Sequence, residues 1–314
     1  YVESNMSLLI SLPESMRPQA LCSALLDLEP GLEIMTGHKN VQNPDEVEFA
    51  VVWNHPEGLL LNYPNLKAIS SYGHGADGLL ADSKLPEGVP LVRLTNETMA
   101  EWMSEYLLAV VLLQRRKLLQ HAENPGFVEW GTAARHPGNQ LSILGLGYLG
   151  QAAAKVFLKM GFDVSGWSRS RKEVEGVNCF SGNNALTEML IKTDYLVNLL
   201  PLTTETTDLL NTETLSKLKR GAYLINVGRG QTLVEEDLIP LLDEGQLSGA
   251  CLDVFRTEPL AEAHPFRKHK KILITPHNSS STPADSVAPQ IIENYKRAIS
   301  GRQLLNLIDL AHGY

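Results

Sequence analysis

Cysteine is scarce in this 314-residue sequence. The three residues, Cys22, Cys179 and Cys251, are too few and too scattered for a disulfide framework or a metal site, so no metal is expected. Reduced thiols in a cytoplasmic protein are the corresponding expectation. Positive charge is short as well: Lys plus Arg total 27 against 36 for Asp plus Glu, a balance of −9. That argues against a nucleic-acid partner and leaves only a local basic cluster to meet a phosphate. Long apolar runs are also missing. The longest, YLLAVVLL at 106–113, is far too short to cross a bilayer, and no basic stretch followed by an apolar core opens the sequence. Neither a membrane partner nor a secretory signal is therefore expected. The five residues YVESN before Met6 stay outside the fold argument. What is present, 43% apolar and 20% charged residues, suits a soluble protein large enough for two domains.

Short β-rich runs alternate with helical stretches along the chain. LLISL (8–12), LEIM (32–35), FAVVW (49–53), LKAISSY (66–72) and PLVRL (90–94) read as buried parallel strands. One long helix is predicted over 97–123, with an apolar face through Met99, Met103, Tyr106, Leu107, Val110 and Leu113. A second series follows a Gly- and Pro-rich loop at 123–139. Its strands are predicted at 141–144, 163–167, 178–180, 195–200, 222–227, 251–255 and 272–275, and a last helix at 289–300. Two such alternations predict an α/β protein of two doubly wound parallel-sheet domains.

The stretch LGLGYLG (144–150) follows a β-run and opens a helix, the setting in which Gly145, Gly147 and Gly150 become a dinucleotide-binding turn. Amides of Tyr148, Leu149 and Gly150 would then face a diphosphate. An NAD site places an acid at the tip of the next strand. Here the nearest, Asp163, stands at the wrong end, and the tip reads Trp167, Ser168, Arg169, with Arg171 and Lys172 following. A hydroxyl beside a guanidinium suits a 2′-phosphate, so NADP(H) is the expected cofactor and NAD(H) the second option.

Ligands in open parallel sheets sit beyond the carboxyl ends of the strands. Loops there carry Arg229, Glu258 and His277, a set suited to reducing a 2-oxo acid. A guanidinium holds a carboxylate and polarises the neighbouring carbonyl, an imidazolium delivers a proton, and a carboxylate orients the imidazole. Each residue also has a plain structural explanation: a turn, a cap, a satisfied histidine.

The motifs LGLGYLG, LLPLTTETTDLLN, GAYLINVGRGQTLVEEDLIPLLDEGQLSGACLDVFRTEPL and ITPH, with the ending DLAHGY, resemble successive signatures of the D-isomer-specific 2-hydroxyacid dehydrogenases. The likeness is greatest to the bacterial branch that reduces glyoxylate and hydroxypyruvate. It implies a flavodoxin-like substrate domain from 1–103 and 281–314, a Rossmann domain over 104–280, and a cleft between them. It makes Arg229 the carboxylate and carbonyl binder, Glu258 the partner of His277, and His277 the acid/base. It adds Leu200, Pro201, Val227, Gly228 and Asp253 to the cofactor site, and Trp53, Gly75 and Ala76 to the substrate site. The loop around Trp130 would form a homodimer contact. The expected activity is NADPH-dependent reduction of a small 2-oxo acid to its 2-hydroxy acid. The alternatives are a D-lactate or phosphoglycerate type of dehydrogenase, or a non-catalytic NAD(P)-sensing protein.

Overall fold

The computed structural model describes residues 7–123, 138–310 and 312–313, so YVESN and Trp130 lie outside the described residues. The chain divides into two compact units, 1–98 with 282–314, and 99–281. The sequence predicted divisions after 103 and 280.

In the first unit, β1 (Ser7–Ser11), α1 (Pro18–Leu28), β2 (Glu33–Thr36), β3 (Phe49–Val52), β4 (Ala68–Ser71), α2 (Asp77–Leu80) and β5 (Leu91–Arg93) follow in order. Every pairing is parallel, in the sheet order β2-β1-β3-β4-β5. This is the flavodoxin-like winding. β1, β3 and β4 are buried at every residue, which is why their apolar runs show no alternation. Pro18 opens α1 at a position where its missing amide costs nothing, and Leu21 and Leu25 turn inward.

Helix α3 (Glu97–Arg115) begins at the end of this unit and is followed by α4 (Leu118–Glu123). The single helix expected over 97–123 is thus broken. Lys117 takes a left-handed conformation, φ 53°. The buried stripe of α3 ends at Val111, while Leu118 and Leu119 are exposed, so among the described residues no apolar packing favours a straight continuation.

The second unit then runs β6 (Gln140–Leu144), α5 (Tyr148–Lys159), β7 (Asp163–Ser168), β8 (Asn178–Ser181), α6 (Asn183–Leu190), β9 (Tyr195–Asn198), α7 (Thr212–Leu215), β10 (Ala222–Asn226), α8 (Glu235–Asp243), β11 (Leu247–Leu252) and β12 (Ile272–Ile274). All seven strands are parallel in the order β12-β11-β10-β9-β6-β7-β8. The winding reverses between β6 and β9, and that reversal is where a Rossmann sheet opens for a nucleotide. The strand predicted at 251–255 lies earlier, at 247–252. Ser248 and Gly249 are poor strand formers by composition, yet Gly249 is required there, since a Cβ would lie 2.7 Å from the Tyr223 ring.

The last helix, α9 (Ala284–Ile299), belongs to the first unit and packs on α1. It starts five residues before the predicted Pro289, which lies inside it. Val287, Ala288, Ile291, Ile292 and Tyr295 form its buried face, and Tyr295 meets Phe49 edge-on at 5.7 Å. That packing outweighs the hydrogen bond lost at Pro289. Beyond it, the Ile308 amide reaches the Leu91 carbonyl at 2.8 Å, fastening the chain end to β5. Among the described residues, no helix is long and apolar enough to cross a membrane.

Candidate active site

Three glycines shape the turn between β6 and α5, each differently. Gly145 has φ 102°, donates its amide to the Trp167 carbonyl at 2.8 Å, and would set a Cβ 2.8 Å from the Leu199 carbonyl oxygen. A Cβ on Gly150 would lie 1.9 Å from the Gly145 oxygen, so helix and turn are in direct contact. A Cβ on Gly147 would meet nothing within 4 Å. The middle glycine therefore faces open space at the start of α5, where the first amides have no intrahelical acceptor. An anion such as a diphosphate fits that chemistry.

The predicted tip of β7 divides on inspection. Trp167 is buried, its indole Nε1 donates to the Gly182 carbonyl at 2.9 Å, and it packs with Leu144, Leu186 and Phe180. Its side chain thus belongs to the core. The Ser168 hydroxyl donates to the Ser170 carbonyl at 2.8 Å, so its proton is held within the turn. Arg169, Arg171 and Lys172 are exposed and carry the positive charge of this tip.

On the loops after β9 and β10, the amides of Leu200 and Gly228 are held by Asn198 and Asn226, and the Val227 amide by the Asn198 carbonyl at 3.2 Å. The Pro201 carbonyl accepts the Thr206 hydroxyl at 2.7 Å. These hydrogen bonds fix the shape of both segments from within the protein.

Asp253 stands at the exit of β11. Its carboxylate is fully buried and accepts the Thr275 hydroxyl at 2.6 Å and the amides of Asn278 and Ser279, each at 2.9 Å. Its carbonyl accepts the His277 amide, also at 2.9 Å. The carboxylate is thus engaged in holding the histidine loop. Behind it, Tyr106 of α3 reaches both Thr275 Oγ1 at 2.6 Å and Cys251 Sγ at 3.2 Å. Burial pushes the Cys251 thiol up to about 12.

The same loop presents His277 with φ 52°. Its Nδ1 lies 2.7 Å from Glu258 Oε2, and Glu258 Oε1 accepts the Phe255 amide at 2.9 Å. With the carboxylate ionised, Nδ1 is the donor and Nε2 is left as the outward nitrogen. The Glu258 hydrogen bond raises His277 above its ordinary pKa, outweighing burial and the nearby Arg229 charge. Burial by itself would raise Glu258. The His277 hydrogen bond, the Phe255 amide and the charges of His277 and Arg229 overcome it, so Glu258 lies below its ordinary value. The guanidinium of Arg229 donates to the Gly228 carbonyl at 2.8 Å. A Cβ on the adjoining Gly230 would lie 1.9 Å from the Phe255 carbonyl carbon, so the arginine loop sits directly on the segment that holds Glu258. The structure thus brings Arg229, Glu258 and His277 into one electrostatic group.

The remaining predicted residues lie in the first unit. The Trp53 ring covers Gly73, where a Cβ would lie 2.7 Å from it. Gly75 has its carbonyl bound by the Ser71 hydroxyl at 2.8 Å, and Ala76 precedes α2. His74 is turned toward Thr95, with Nδ1 and Oγ1 2.8 Å apart. Sequence reasoning missed Tyr106, Thr275 and the buried Asn198, Asn226 and Thr232. For Asn198, Asn226 and Thr275 the signal was a polar residue at the end of an apolar run, whereas Tyr106 on α3 and Thr232 in the turn after Arg229 carried none.

Residues 109–279 match the family described as "D-isomer specific 2-hydroxyacid dehydrogenase, NAD binding domain". A glyoxylate/hydroxypyruvate reductase A of Serratia proteamaculans is 39% identical over 274 residues, covering 85% of this chain and 88% of that protein. A D-isomer specific 2-hydroxyacid dehydrogenase of Xanthobacter autotrophicus Py2, solved with NADPH and MES, superposes with a TM-score of 0.93 at 38% identity, covering 99% of this chain and 100% of that one. An NADPH-dependent glyoxylate/hydroxypyruvate reductase of Sinorhizobium meliloti, solved with NADP and sulfate, gives 0.90 at 34% identity, with 98% and 100% coverage.

Proposed function

Because this chain belongs to the D-isomer specific 2-hydroxyacid dehydrogenase family, we propose that it reduces glyoxylate, hydroxypyruvate or a similarly small 2-oxo acid with NADPH. It is an NADP-dependent oxidoreductase acting on CH–OH donors, as the NADPH- and NADP-bound relatives support. The observation that carries the reading is the 2.7 Å contact between His277 and Glu258 beside the Arg229 charge.

Arg229 binds the substrate carboxylate and draws electron density from the adjoining carbonyl. Amides of Gly75 and Ala76 are assigned to the same carboxylate, and Trp53 to the pocket wall. Glu258 holds Nδ1 of His277, so Nε2 carries the proton passed to the carbonyl oxygen. When bound, NADPH supplies the hydride that reaches the carbonyl carbon. Gly145, Gly147 and the amides of Tyr148, Leu149 and Gly150 would hold its diphosphate, and Arg169 its 2′-phosphate, with Arg171 and Lys172 adding to the field. Leu200, Pro201, Val227 and Gly228 would line its nicotinamide end. A homodimer is part of the same proposal.

The test is a panel of 2-oxo acids with NADPH and with NADH, followed by cofactor oxidation. Turnover of glyoxylate or hydroxypyruvate with NADPH is expected. Turnover only of larger 2-oxo acids would replace the substrate assignment, and no turnover at all would favour a sensing protein. Arg169→Asp should raise the KM for NADPH by about tenfold or more while sparing NADH. Equal changes for both would remove the 2′-phosphate role.

A further inference from the structure

We infer that Asn198, Asn226 and Thr232 form a positioning network that fixes Arg229 relative to the loop after β9, and so governs how tightly the substrate carboxylate is held. The inference rests on the role of Arg229 proposed above.

Asn198 and Asn226 end the neighbouring strands β9 and β10 at paired positions. Thr232 closes the short turn after Arg229. All three are fully buried. Asn198 Nδ2 donates to Asn226 Oδ1 at 2.9 Å and to Thr232 Oγ1 at 2.8 Å, while its Oδ1 accepts the Leu200 amide at 3.2 Å. Asn226 Oδ1 also accepts the Gly228 amide, and its Nδ2 donates to the Arg229 carbonyl, both at 3.3 Å. The Thr232 hydroxyl donates to that same carbonyl at 2.6 Å, and the Thr232 amide at 3.2 Å.

Three donors therefore converge on the carbonyl of one residue, and two come from buried side chains. Such groups are costly to bury unless fully paired, and here the pairing runs through backbone atoms of Leu200, Gly228 and Arg229. No slack separates the two loops. A Cβ on Gly228 would lie 2.8 Å from the Leu200 oxygen and 3.1 Å from Asn198 Nδ2. The guanidinium starts from a backbone that cannot drift with respect to the loop assigned to the cofactor. Small misplacements of a binding group weaken binding and catalysis out of proportion to their size. A cluster that served stability alone would have no preference for the carboxylate over the rest of the substrate.

The experiment is Thr232→Val in the full-length enzyme, which keeps volume and removes the hydroxyl. KM is measured for glyoxylate and for its methyl ester at saturating NADPH, together with NADPH affinity and thermal unfolding. KM for glyoxylate should rise by roughly five- to tenfold. The preference for acid over ester should shrink, NADPH affinity should stay within about twofold, and Thr232→Ser should restore the acid preference. An unchanged glyoxylate KM, or equal losses for acid and ester, would overturn the inference. If Thr232→Val does not fold, Asn226→Ser, which shortens the reach to the Arg229 carbonyl, is read by the same ratio. Failure of the functional reading looks different, since the unmodified enzyme would then reduce no 2-oxo acid.

Discussion

Of the histidine–carboxylate pairs among the described residues, His277–Glu258 and His55–Asp82 are of similar length and opposite character. His277 and Glu258 stand 2.7 Å apart with side chains 42% and 35% exposed, whereas His55 and Asp82 stand 3.0 Å apart at 1% and 3%. In the first pair one imidazole nitrogen is bound and the other faces outward, so a proton can be passed on. In the second, Nε2 meets Asp82, and Nδ1 is buried with no hydrogen-bond partner among the described residues. Asp82 also accepts the amides of Gly58 and Lys84, tying together two loops of the first unit. Burial raises Asp82, but those amides and His55 overcome it and hold its carboxyl below the ordinary range. The same two functional groups thus leave a nitrogen open to a proton acceptor in one place and close loops in the other. Access to the second nitrogen separates the two roles.

The contrast is sharpened first by His277→Ala, which should cut the rate of 2-oxo acid reduction about a thousandfold while NADPH binds normally and the unfolding temperature hardly moves. Near-normal turnover would place the proton donor elsewhere. Glu258→Gln should lower kcat by about a hundredfold at neutral pH. It should also shift the pH profile. With His277 as the proposed proton donor, activity should be full below its raised pKa and fall as pH climbs through it. Removing the carboxylate removes that elevation and moves the alkaline limb to lower pH. A limb that stays in place would detach Glu258 from the titration. The smallest effect on rate belongs to Asp82→Asn, with kcat expected within about threefold of the parent but stability lower by about 3 kcal/mol in calorimetry. Because the folded carboxyl is depressed, the stabilisation is present above the ordinary carboxylate range and fades as pH falls through the folded value. The gap between parent and variant should close on acidification. A large kcat loss with unchanged stability would erase the distinction between the pairs.

Much of the fold was legible because buried parallel strands announce themselves as apolar runs between turns, as at 8–12 and 222–227. The glycine turn and the Arg229, Glu258 and His277 set were legible for a related reason: each follows a strand and carries an unusual residue type. Features decided by distant contacts were not legible. The helix breaks at Lys117 where its buried stripe has ended and the next turn exposes Leu118 and Leu119, while the continuing sequence looks equally helical. Asp253 entered the cofactor site through the resemblance, and its own donors, Thr275, Asn278 and Ser279, come from a loop more than twenty residues away, which no local pattern announces. Trp167 does stand at the tip of β7, but that its ring is packed into the core is decided by neighbours such as Leu144 and Leu186. His55 resembled any other histidine, because burial is a property of the neighbours and leaves no mark in the residue itself.

The buried thiol behind the histidine loop has a practical consequence. Cys251 is fully enclosed and its thiol is pushed up to about 12, so thiolate-seeking reagents and mild oxidants should leave it untouched in the native protein. Cys22 and Cys179 are partly exposed, one in each unit. Dyes or spin labels can therefore be attached at these two sites without first removing the third sulfur.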